Sequence, residues 1–271
     1  MVPNPSWPLI PGRHNGPMVE SPRPSDRHVQ SFARGLQVIR SFSAAHPAQT
    51  LSEVAAQTGL TRAGARRILL TLEGLGYVRA DGRQFRLTPK ILDLGFAYLS
   101  SQPLWHLAEP VMQGLATAVG ESCSMAVLDE TEIVYLLRVP ARKIMSINLG
   151  VGSRLPAWCT SMGRVLLGGL QPAEREALIG RQPLVARTPH TLTDPGSVLQ
   201  AIETASMRGW CLVADELEPG LTSLAAPVLD RRGRVAAALN ISTSSSTPRE
   251  RLLRESLPAL RQAAVEISRL L

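Results

Sequence analysis

Apolar and polar residues recur at helical spacing along Leu51–Leu72, which predicts two short helices joined by a tight turn. Val54 and Ala55 fall where the first helix must pack closely against the second. Gly59 occupies the turn, where a positive φ costs glycine least. Thr61 follows with a side-chain oxygen that can cap the second helix. The segment is therefore predicted to be a helix-turn-helix.

The second of these helices has two faces of opposite character. The apolar face, at about 100° per residue, is predicted to be buried and contains Ala65, Ile68, Leu69 and Leu72. An apolar back with an arginine-rich front fits the major groove of DNA. The predicted DNA-contacting residues are Thr61, Arg62, Ala63, Arg66 and Arg67, together with Arg83 from the hairpin that follows.

A β-hairpin is predicted directly after the helix-turn-helix. Residues 77–80 and 83–87 alternate apolar with polar around Asp81-Gly82, the dipeptide that type I′ turns prefer. A hairpin in this position is typical of a winged domain. Its arginines, Arg79, Arg83 and Arg86, are candidates for contacts with phosphate or the minor groove; the alternative is a solvated surface.

Helical spacing also predicts the elements on either side of the winged core. Upstream, Phe32, Leu36, Ile39 and Phe42 predict a third helix that closes this core. Downstream, Lys90–Ser100 predicts a linker helix with Ile91, Leu94 and Tyr98 on one side. That side packs either on a second protomer or on its own domain.

Four segments follow from these patterns. Residues 1–25 contain seven prolines and are predicted to be a disordered arm. Residues 26–89 form the winged helix-turn-helix domain, residues 90–102 the linker helix, and residues 103–271 an effector-binding domain.

The last segment mixes antiparallel strands with helices, which predicts an α+β fold. A helix ends at Gly120, and a hairpin then encloses residues 129–132. A further strand is predicted at Met145–Leu149, a helix at Ser161–Leu170, and helices that begin at Pro172 and Pro195. Three strands (210–214, 222–229 and 235–243) and a terminal helix from Thr247 complete the domain.

Charge is concentrated where DNA contact is predicted. The chain has a formal net charge of +7, and residues 1–100 hold 12 basic against 6 acidic residues, a net of +6. Residues 101–271 hold 17 against 16, a net of +1. The three cysteines form no metal or disulfide spacing, and neither a membrane span nor a signal peptide is indicated. A cytoplasmic protein is expected, with neither a metal site nor a cofactor.

The chain resembles the IclR family of bacterial transcriptional regulators from Val29 to about Ser245. The signatures are Leu155-Pro156 followed by CTSMGRVLL at residues 159–167, and Gly209-Trp210 followed by DELEPG at residues 215–220. The segments VQSFARGLQVIRSF, LTPKILDLGFAYLSS and AWCTSMGRVLL look more narrowly like regulators of the β-ketoadipate pathway. This resemblance implies a homodimer or homotetramer, a GAF-like sensor fold, and a small carboxylate effector of the protocatechuate, 4-hydroxybenzoate or β-ketoadipate class.

Three groups of residues are candidates for binding such an effector. Thr160, Ser161 and Met162 begin a helix, whose free N–H groups attract anions; the alternative role of their hydroxyls is to cap that helix. Strand alternation places Asn240 and Ser242 on one face, which Ser223 on a neighbouring strand could share. Asp215 and Glu218 match family positions near the pocket, or form a solvated acidic turn. Arg138, Arg142 and Lys143 are possible countercharges, although a surface position is favoured.

The alternative function is a small-molecule hydrolase or other ligand-processing enzyme with an appended DNA-binding domain. Cys159–Gly163 superficially resembles a nucleophile elbow, but cysteine stands where the elbow needs its first glycine. No histidine has an assignable role as a base, and Gly150-Val-Gly152 lacks the third glycine of a dinucleotide site. The sequence therefore predicts a regulator, not an enzyme, whose binding to operator DNA responds to a small carboxylate.

Overall fold

The computed structural model describes residues 29–100, 104–141 and 149–271. The predicted arm at residues 1–25, most of the predicted strand at Met145–Leu149, and both Arg142 and Lys143 lie outside the described residues. The chain divides into two compact units, one that ends at Gly95 and one that begins at Phe96.

The described residues of the N-terminal unit form three helices and a small sheet, followed by the start of a fourth helix. Its elements are α1 (Gln30–Ser41), β1 (Gln49–Thr50), α2 (Leu51–Thr58), α3 (Arg62–Gly74), β2 (Val78–Asp81) and β3 (Gln84–Leu87). A 3₁₀ turn at Pro89–Ile91 then leads into α4 (Leu92–Ser100), within which the chain passes from the first unit to the second.

Local hydrogen bonds set the limits of the helix-turn-helix. Thr50 and Glu53 form a reciprocal capping box at the start of α2, with the Glu53 carboxylate 2.6 Å from the Thr50 backbone nitrogen. Gly59 ends α2 with φ +66°, and the Thr61 hydroxyl accepts a hydrogen bond from the Gly64 N–H at 3.1 Å. The predicted roles of Gly59 and Thr61 are confirmed.

The first helix exists as predicted, but the face assigned to the core is partly wrong. Val38 and Phe42 are buried with α2 and α3, whereas Phe32 and Leu36 are 67% and 43% exposed. Helical spacing identifies an apolar stripe but not its partner, and here the N-terminal part of the stripe extends beyond the small core.

The hairpin also differs from its prediction, by one residue. Asp81 pairs with Gln84, so the two loop residues are Gly82 and Arg83, where Asp81 and Gly82 were expected. Gly82 has φ +61° at the first loop position, which glycine favours in two-residue hairpins. The strand β1, too short to show alternation in the sequence, pairs with β3 and completes a three-stranded sheet.

Within its described residues, the C-terminal unit contains a six-stranded antiparallel sheet. Its helices are α5 (Leu104–Val119), α6 (Ser161–Gly168), α7 (Pro172–Gly180), α8 (Pro195–Arg208), α9 (Arg249–Arg251), a π-helical turn (Leu252–Ser256) and α10 (Leu257–Ser268). Its strands are β4 (Ser122–Asp129), β5 (Glu132–Val139), β6 (Arg154–Pro156), β7 (Cys211–Ala214), β8 (Leu221–Leu229) and β9 (Val235–Ser244). The strand order is β6-β5-β4-β9-β8-β7.

Alternating residues of the central strands pack into two separate cores. On β9, Leu239 and Ile241 face α5 and α10, while Ala238 faces the layer of α6 and α8. Small residues on this second face leave room between the sheet and the start of α6. The predicted α+β class is confirmed, with helices on both faces of the sheet.

None of the helices in the described ranges is long and apolar enough to cross a membrane.

Candidate functional site

A cleft of about 470 Å³ lies between the start of α6 and the sheet of the C-terminal unit. This volume includes open solvent at the mouth of the cleft. Its lining residues are Tyr135, Arg138, Leu149, Cys159, Thr160, Ser161, Met162, Val213, Leu217, Leu221, Ser223, Asn240 and Ser242. Six of the eight predicted effector-binding residues are among them, and Asp215 and Glu218 are not.

The first turn of α6 presents unpaired backbone donors to this cleft. The N–H groups of Ser161 and Met162 have no acceptor within the described residues, because they precede the first intrahelical hydrogen bond. The Thr160 hydroxyl is occupied: it accepts from the Gly163 N–H at 3.2 Å and donates to the Pro156 carbonyl at 3.1 Å. Thr160 therefore has the capping role that was the alternative to ligand binding.

Two serines and an asparagine form a polar network on the sheet side of the cleft. The Ser161 and Ser223 hydroxyl oxygens are 2.7 Å apart. The Asn240 side-chain nitrogen donates to Ser223 at 2.8 Å and to Ser242 at 3.2 Å. The shared face that alternation predicted for these residues is present, and hydrogen bonds connect it to the start of α6.

Arg138 and Tyr135 bring the strand β5 into the lining. Arg138 is half-buried and donates to the Ser124 hydroxyl at 3.4 Å. Burial raises the pKa of Tyr135 to about 12, so its hydroxyl keeps its proton at neutral pH. The sequence analysis favoured a surface position for Arg138 and did not select Tyr135. Strict alternation would place residues 135 and 138 on opposite faces, but the pairing of β4 with β5 skips Leu136, and both side chains reach the cleft.

The acidic loop before β8 contributes apolar residues to the cleft instead of carboxylates. Leu217 in the loop and Leu221 at the start of β8 line the cleft, whereas Asp215 closes the loop. Its carboxylate accepts from the Gly220 N–H at 2.6 Å. Asp215 adopts a left-handed backbone with φ +60° in this turn. Acidic residues precede and follow Leu217 in the sequence, and the sequence analysis did not select it.

A buried ion pair that the sequence analysis did not predict fixes this loop to α6. The Arg164 guanidinium donates to both Glu216 oxygens, at 2.7 and 2.6 Å, and its Nε donates to the Trp158 carbonyl at 3.0 Å. The Leu192 N–H also donates to Glu216, at 3.2 Å. Because the two ion-pair residues are 52 positions apart, no local pattern could have paired them.

The described residues of the cleft do not form a hydrolytic site. Burial raises the pKa of the Cys159 thiol to about 11, so it is a poor nucleophile at neutral pH. No histidine is among the described residues that line the cleft. The arrangement can hold an anion and pair its polar groups, but it does not supply an activated nucleophile with its base.

The N-terminal unit presents a separate basic surface. Arg62, Arg66 and Arg67 are exposed on α3, and Arg83 is exposed at the tip of the hairpin. Within the described part of the chain, none of these four side chains forms an ion pair or a hydrogen bond. Arg86 differs, since it is half-buried and lies 3.9 Å from the Asp81 carboxylate. The exposed guanidinium groups are available for phosphate or base contacts.

Family comparison accounts for both units. Residues 31–82 match the IclR helix-turn-helix domain, and residues 96–269 match the family described as bacterial transcriptional regulator IclR C-terminal. The chain belongs to the IclR family. As members of this family are regulators rather than enzymes, an IclR chain is a DNA-binding transcriptional regulator, and the hydrolase alternative is set aside.

Individual relatives match most of this IclR chain. The Pca regulon regulatory protein of Pseudomonas putida is 42% identical and aligns over 88% of this chain and 83% of its own length. The p-hydroxybenzoate hydroxylase transcriptional activator of Acinetobacter baylyi is 33% identical and aligns over 91% of this chain and 93% of its own length. An IclR homologue from Microbacterium hydrocarbonoxydans was solved in complex with 4-hydroxybenzoate. It matches this chain with a TM-score of 0.78 and 27% identity, over 88% of this chain and 98% of its own. The expected similarity to β-ketoadipate-pathway regulators is confirmed.

Proposed function

We propose that this chain regulates genes of aromatic-acid catabolism, with its operator binding controlled by a small aromatic carboxylate in the cleft of the C-terminal unit. The observation that carries the proposal is the pair of unpaired N–H groups at Ser161 and Met162, at the start of a helix, in a cleft that Arg138 also lines. Helix N-termini favour anions because of their free N–H groups and the dipole of the helix.

The rest of the lining suits a planar apolar group attached to the carboxylate. Leu149, Val213, Leu217 and Leu221 supply apolar surface, and Tyr135 adds an aromatic ring. The relatives support the same chemistry, since one is named for the Pca regulon and another structure contains 4-hydroxybenzoate. The aromatic candidates are protocatechuate and 4-hydroxybenzoate, and the aliphatic diacid β-ketoadipate is the alternative.

DNA binding is assigned to α3 and the hairpin tip. Thr61, Arg62, Ala63, Arg66 and Arg67 would lie at the major groove, with Arg83 at the adjacent backbone. The functional segments follow as residues 26–89 for DNA, 90–102 for the linker, and 103–271 for the effector. A regulator of this kind acts in the bacterial cytoplasm.

A homodimer is the proposed minimal assembly. Phe32 and Leu36 on α1 are exposed, as are Leu92, Leu94 and Phe96 on α4. Apolar side chains in such number on two exposed helices are expected to be covered by another copy of the chain. Two winged domains in one dimer would bind half-sites about one helical turn of DNA apart.

Effector control requires different affinities for two arrangements of the dimer. An acid that prefers one arrangement shifts the population toward it, which typically changes DNA affinity by about 1–3 kcal/mol.

Capture of genomic fragments by the purified full-length chain tests this function. Fragments are sequenced at moderate salt with and without each of the three acids. One repeated motif beside aromatic-acid catabolic genes, with enrichment changed by one acid, is the expected result. Fragments no more specific than general electrostatic binding would contradict the DNA assignment. A specific motif that responds to no acid would contradict the effector assignment alone.

A further inference from the structure

Asn240 has a hydrogen-bonding atom that nothing in the described residues satisfies. The side chain lines the cleft and is only 3% exposed. Its Oδ1 atom is buried and has no partner within the described ranges. A buried acceptor without a donor costs about 1–3 kcal/mol, so such atoms in folded proteins normally have a partner.

The surrounding hydroxyls determine which end of the amide remains unpaired. The Ser223 hydroxyl can donate to the Ile241 carbonyl at 3.3 Å or to the Ser161 hydroxyl at 2.7 Å, and with either acceptor its oxygen is left to accept from Asn240. The Asn240 nitrogen donates to that oxygen and to Ser242. Both amide hydrogens are therefore used, and the free position is the Oδ1 acceptor.

The sheet register leaves space beside this acceptor. Ser124 on β4 lies opposite both Asn240 on β9 and Arg138 on β5. Arg138 and Asn240 therefore occupy one row of the sheet, two strands apart, or roughly 10 Å between their backbones. The small Ser124 side chain separates them, and its hydroxyl bonds to Arg138 and not to Asn240.

We propose that Asn240 selects effectors that carry a hydroxyl group on an aromatic acid, by accepting a hydrogen bond from that hydroxyl through Oδ1. The carboxylate cannot be the group at this position, because two acceptors do not form a hydrogen bond. It lies instead at the α6 donors and Arg138, as in the proposed function on which this inference rests. An acid without a ring donor leaves Oδ1 unpaired and binds more weakly.

Calorimetric titration of the full-length chain with matched acids measures this selection. The pairs are 4-hydroxybenzoate with 4-fluorobenzoate, and 3-hydroxybenzoate with 3-fluorobenzoate. Fluorine fills part of the hydroxyl's space but donates no hydrogen bond, and the carboxylate is ionised throughout at pH 7.5. The hydroxy acid of at least one pair is expected to bind roughly 10- to 100-fold more tightly than its fluoro partner.

Three variants assign the preference to Asn240. Asn240→Leu is expected to reduce the hydroxy-to-fluoro ratio to near one. Asn240→Asp keeps an acceptor at this position but adds a negative charge, so every acid should bind more weakly while the hydroxy-to-fluoro ratio persists. Thr243→Val removes another buried hydroxyl from β9, but at a residue outside the cleft lining, and is expected to leave the ratio unchanged. Thermal melting and effector-free DNA binding establish that each variant is folded.

Each other outcome overturns the assignment. Equal binding within both wild-type pairs shows that no effector hydroxyl is recognised, and this comparison stands even if Asn240→Leu fails to fold. A preference that survives in Asn240→Leu assigns it to another residue. A hydroxy-to-fluoro ratio near one in Asn240→Asp, which retains an acceptor, shows that the wild-type preference does not come from the side-chain oxygen. If no aromatic acid binds the wild type, the proposed effector function itself fails, and this inference falls with it.

Discussion

Gly163 lies in the first turn of α6, where the main chain of Ala157 leaves no room for a side chain. A Cβ atom at residue 163 would be 2.0 Å from the Ala157 carbonyl oxygen. The backbone fixes the position of a Cβ atom, and the atom it would meet is also backbone, so no rotamer change relieves the contact. The absence of a side chain therefore allows α6 to begin close to the preceding turn, which places the Ser161 and Met162 donors at the cleft.

Gly163→Ala is expected to lower the free energy of unfolding by about 3 kcal/mol or more and to weaken effector binding at least tenfold, because α6 must move. Urea unfolding and calorimetric titration measure the two effects. Gly180→Ala is the matched control: it lies at the end of α7 with open space around it, and it should be neutral or slightly stabilising. Equal behaviour of the two variants would contradict the packing role of Gly163.

Arg66→Ala is expected to weaken specific operator binding by about 1–3 kcal/mol and to relax base preference at one position, because the guanidinium is exposed on the front of α3. Fluorescence anisotropy with matched operator variants gives both quantities. Arg181→Ala, an exposed arginine that ends α7, removes the same charge elsewhere and should leave base preference intact. A uniform loss across all sequences would instead make Arg66 a phosphate contact.

At this scale, the sequence predicted residues whose role depends on near neighbours. Gly59 and Thr61 act within one helical turn, and Asn240 and Ser242 share a face because strand alternation requires it. The unsatisfied Asn240 oxygen had no such signal. Its state depends on Ser223, a partner 17 residues away whose own proton is directed elsewhere.

Elements with clear ends were predictable, and very short ones were not. Prolines mark the starts of α7 and α8, and Gly120 and Gly209 mark the ends of α5 and α8 with positive φ. The strands β1 and β6 have two and three residues, too few for alternation to appear. The hairpin was displaced by one residue because Asp-Gly favours a turn without fixing which residue pairs last.

The ion pair between Arg164 and Glu216 connects α6 to the loop that carries Leu217. Both side chains are buried, at 4% and 10% exposure, so either charge left alone would be poorly solvated. Contact with the Leu192 N–H adds a third segment to the junction. The position of Leu217 at the cleft therefore depends on a charge held on α6.

Glu216→Gln is expected to destabilise the chain by about 3–5 kcal/mol, since it leaves the Arg164 guanidinium without its countercharge. The double variant with Arg164→Met should cost less than the sum of the single variants. Urea unfolding of all three gives the coupling. Glu255→Gln breaks exposed pairs with Arg251 and Arg254 just before α10 and should cause no measurable change. Additive single effects would show that the two residues do not act as a pair.

Over the whole molecule, buried cysteine thiols make the free energy of unfolding fall at alkaline pH. Burial raises the pKa of Cys123 from 9.0 to about 12, and of Cys159 and Cys211 from 9.0 to about 11. The unfolded chain loses these protons first as the pH rises. Stabilisation from the buried thiols is therefore complete below about pH 9 and is lost as the pH rises toward the folded pKa values.

The free energy of unfolding is expected to fall above pH 9, by about 1.4 kcal/mol per pH unit for each buried thiol. Urea unfolding between pH 7.5 and 10.5, with a reductant present, measures the slope. Cys123→Ala should make that slope shallower by one thiol's share, whatever its effect at pH 7.5. Parallel curves for wild type and variant would show that Cys123 already ionises in the folded chain.

The backbone donors at the start of α6 also bear on how an effector preference can evolve. A main-chain N–H is present in every residue except proline, so most point substitutions at Ser161 or Met162 leave it in place. The other walls of the cleft are side chains, among them Tyr135, Leu217 and Asn240, and each can be exchanged singly. Descendants of such a sensor are thus expected to keep the acid group of their ligand and to diversify in the remainder of the molecule they detect.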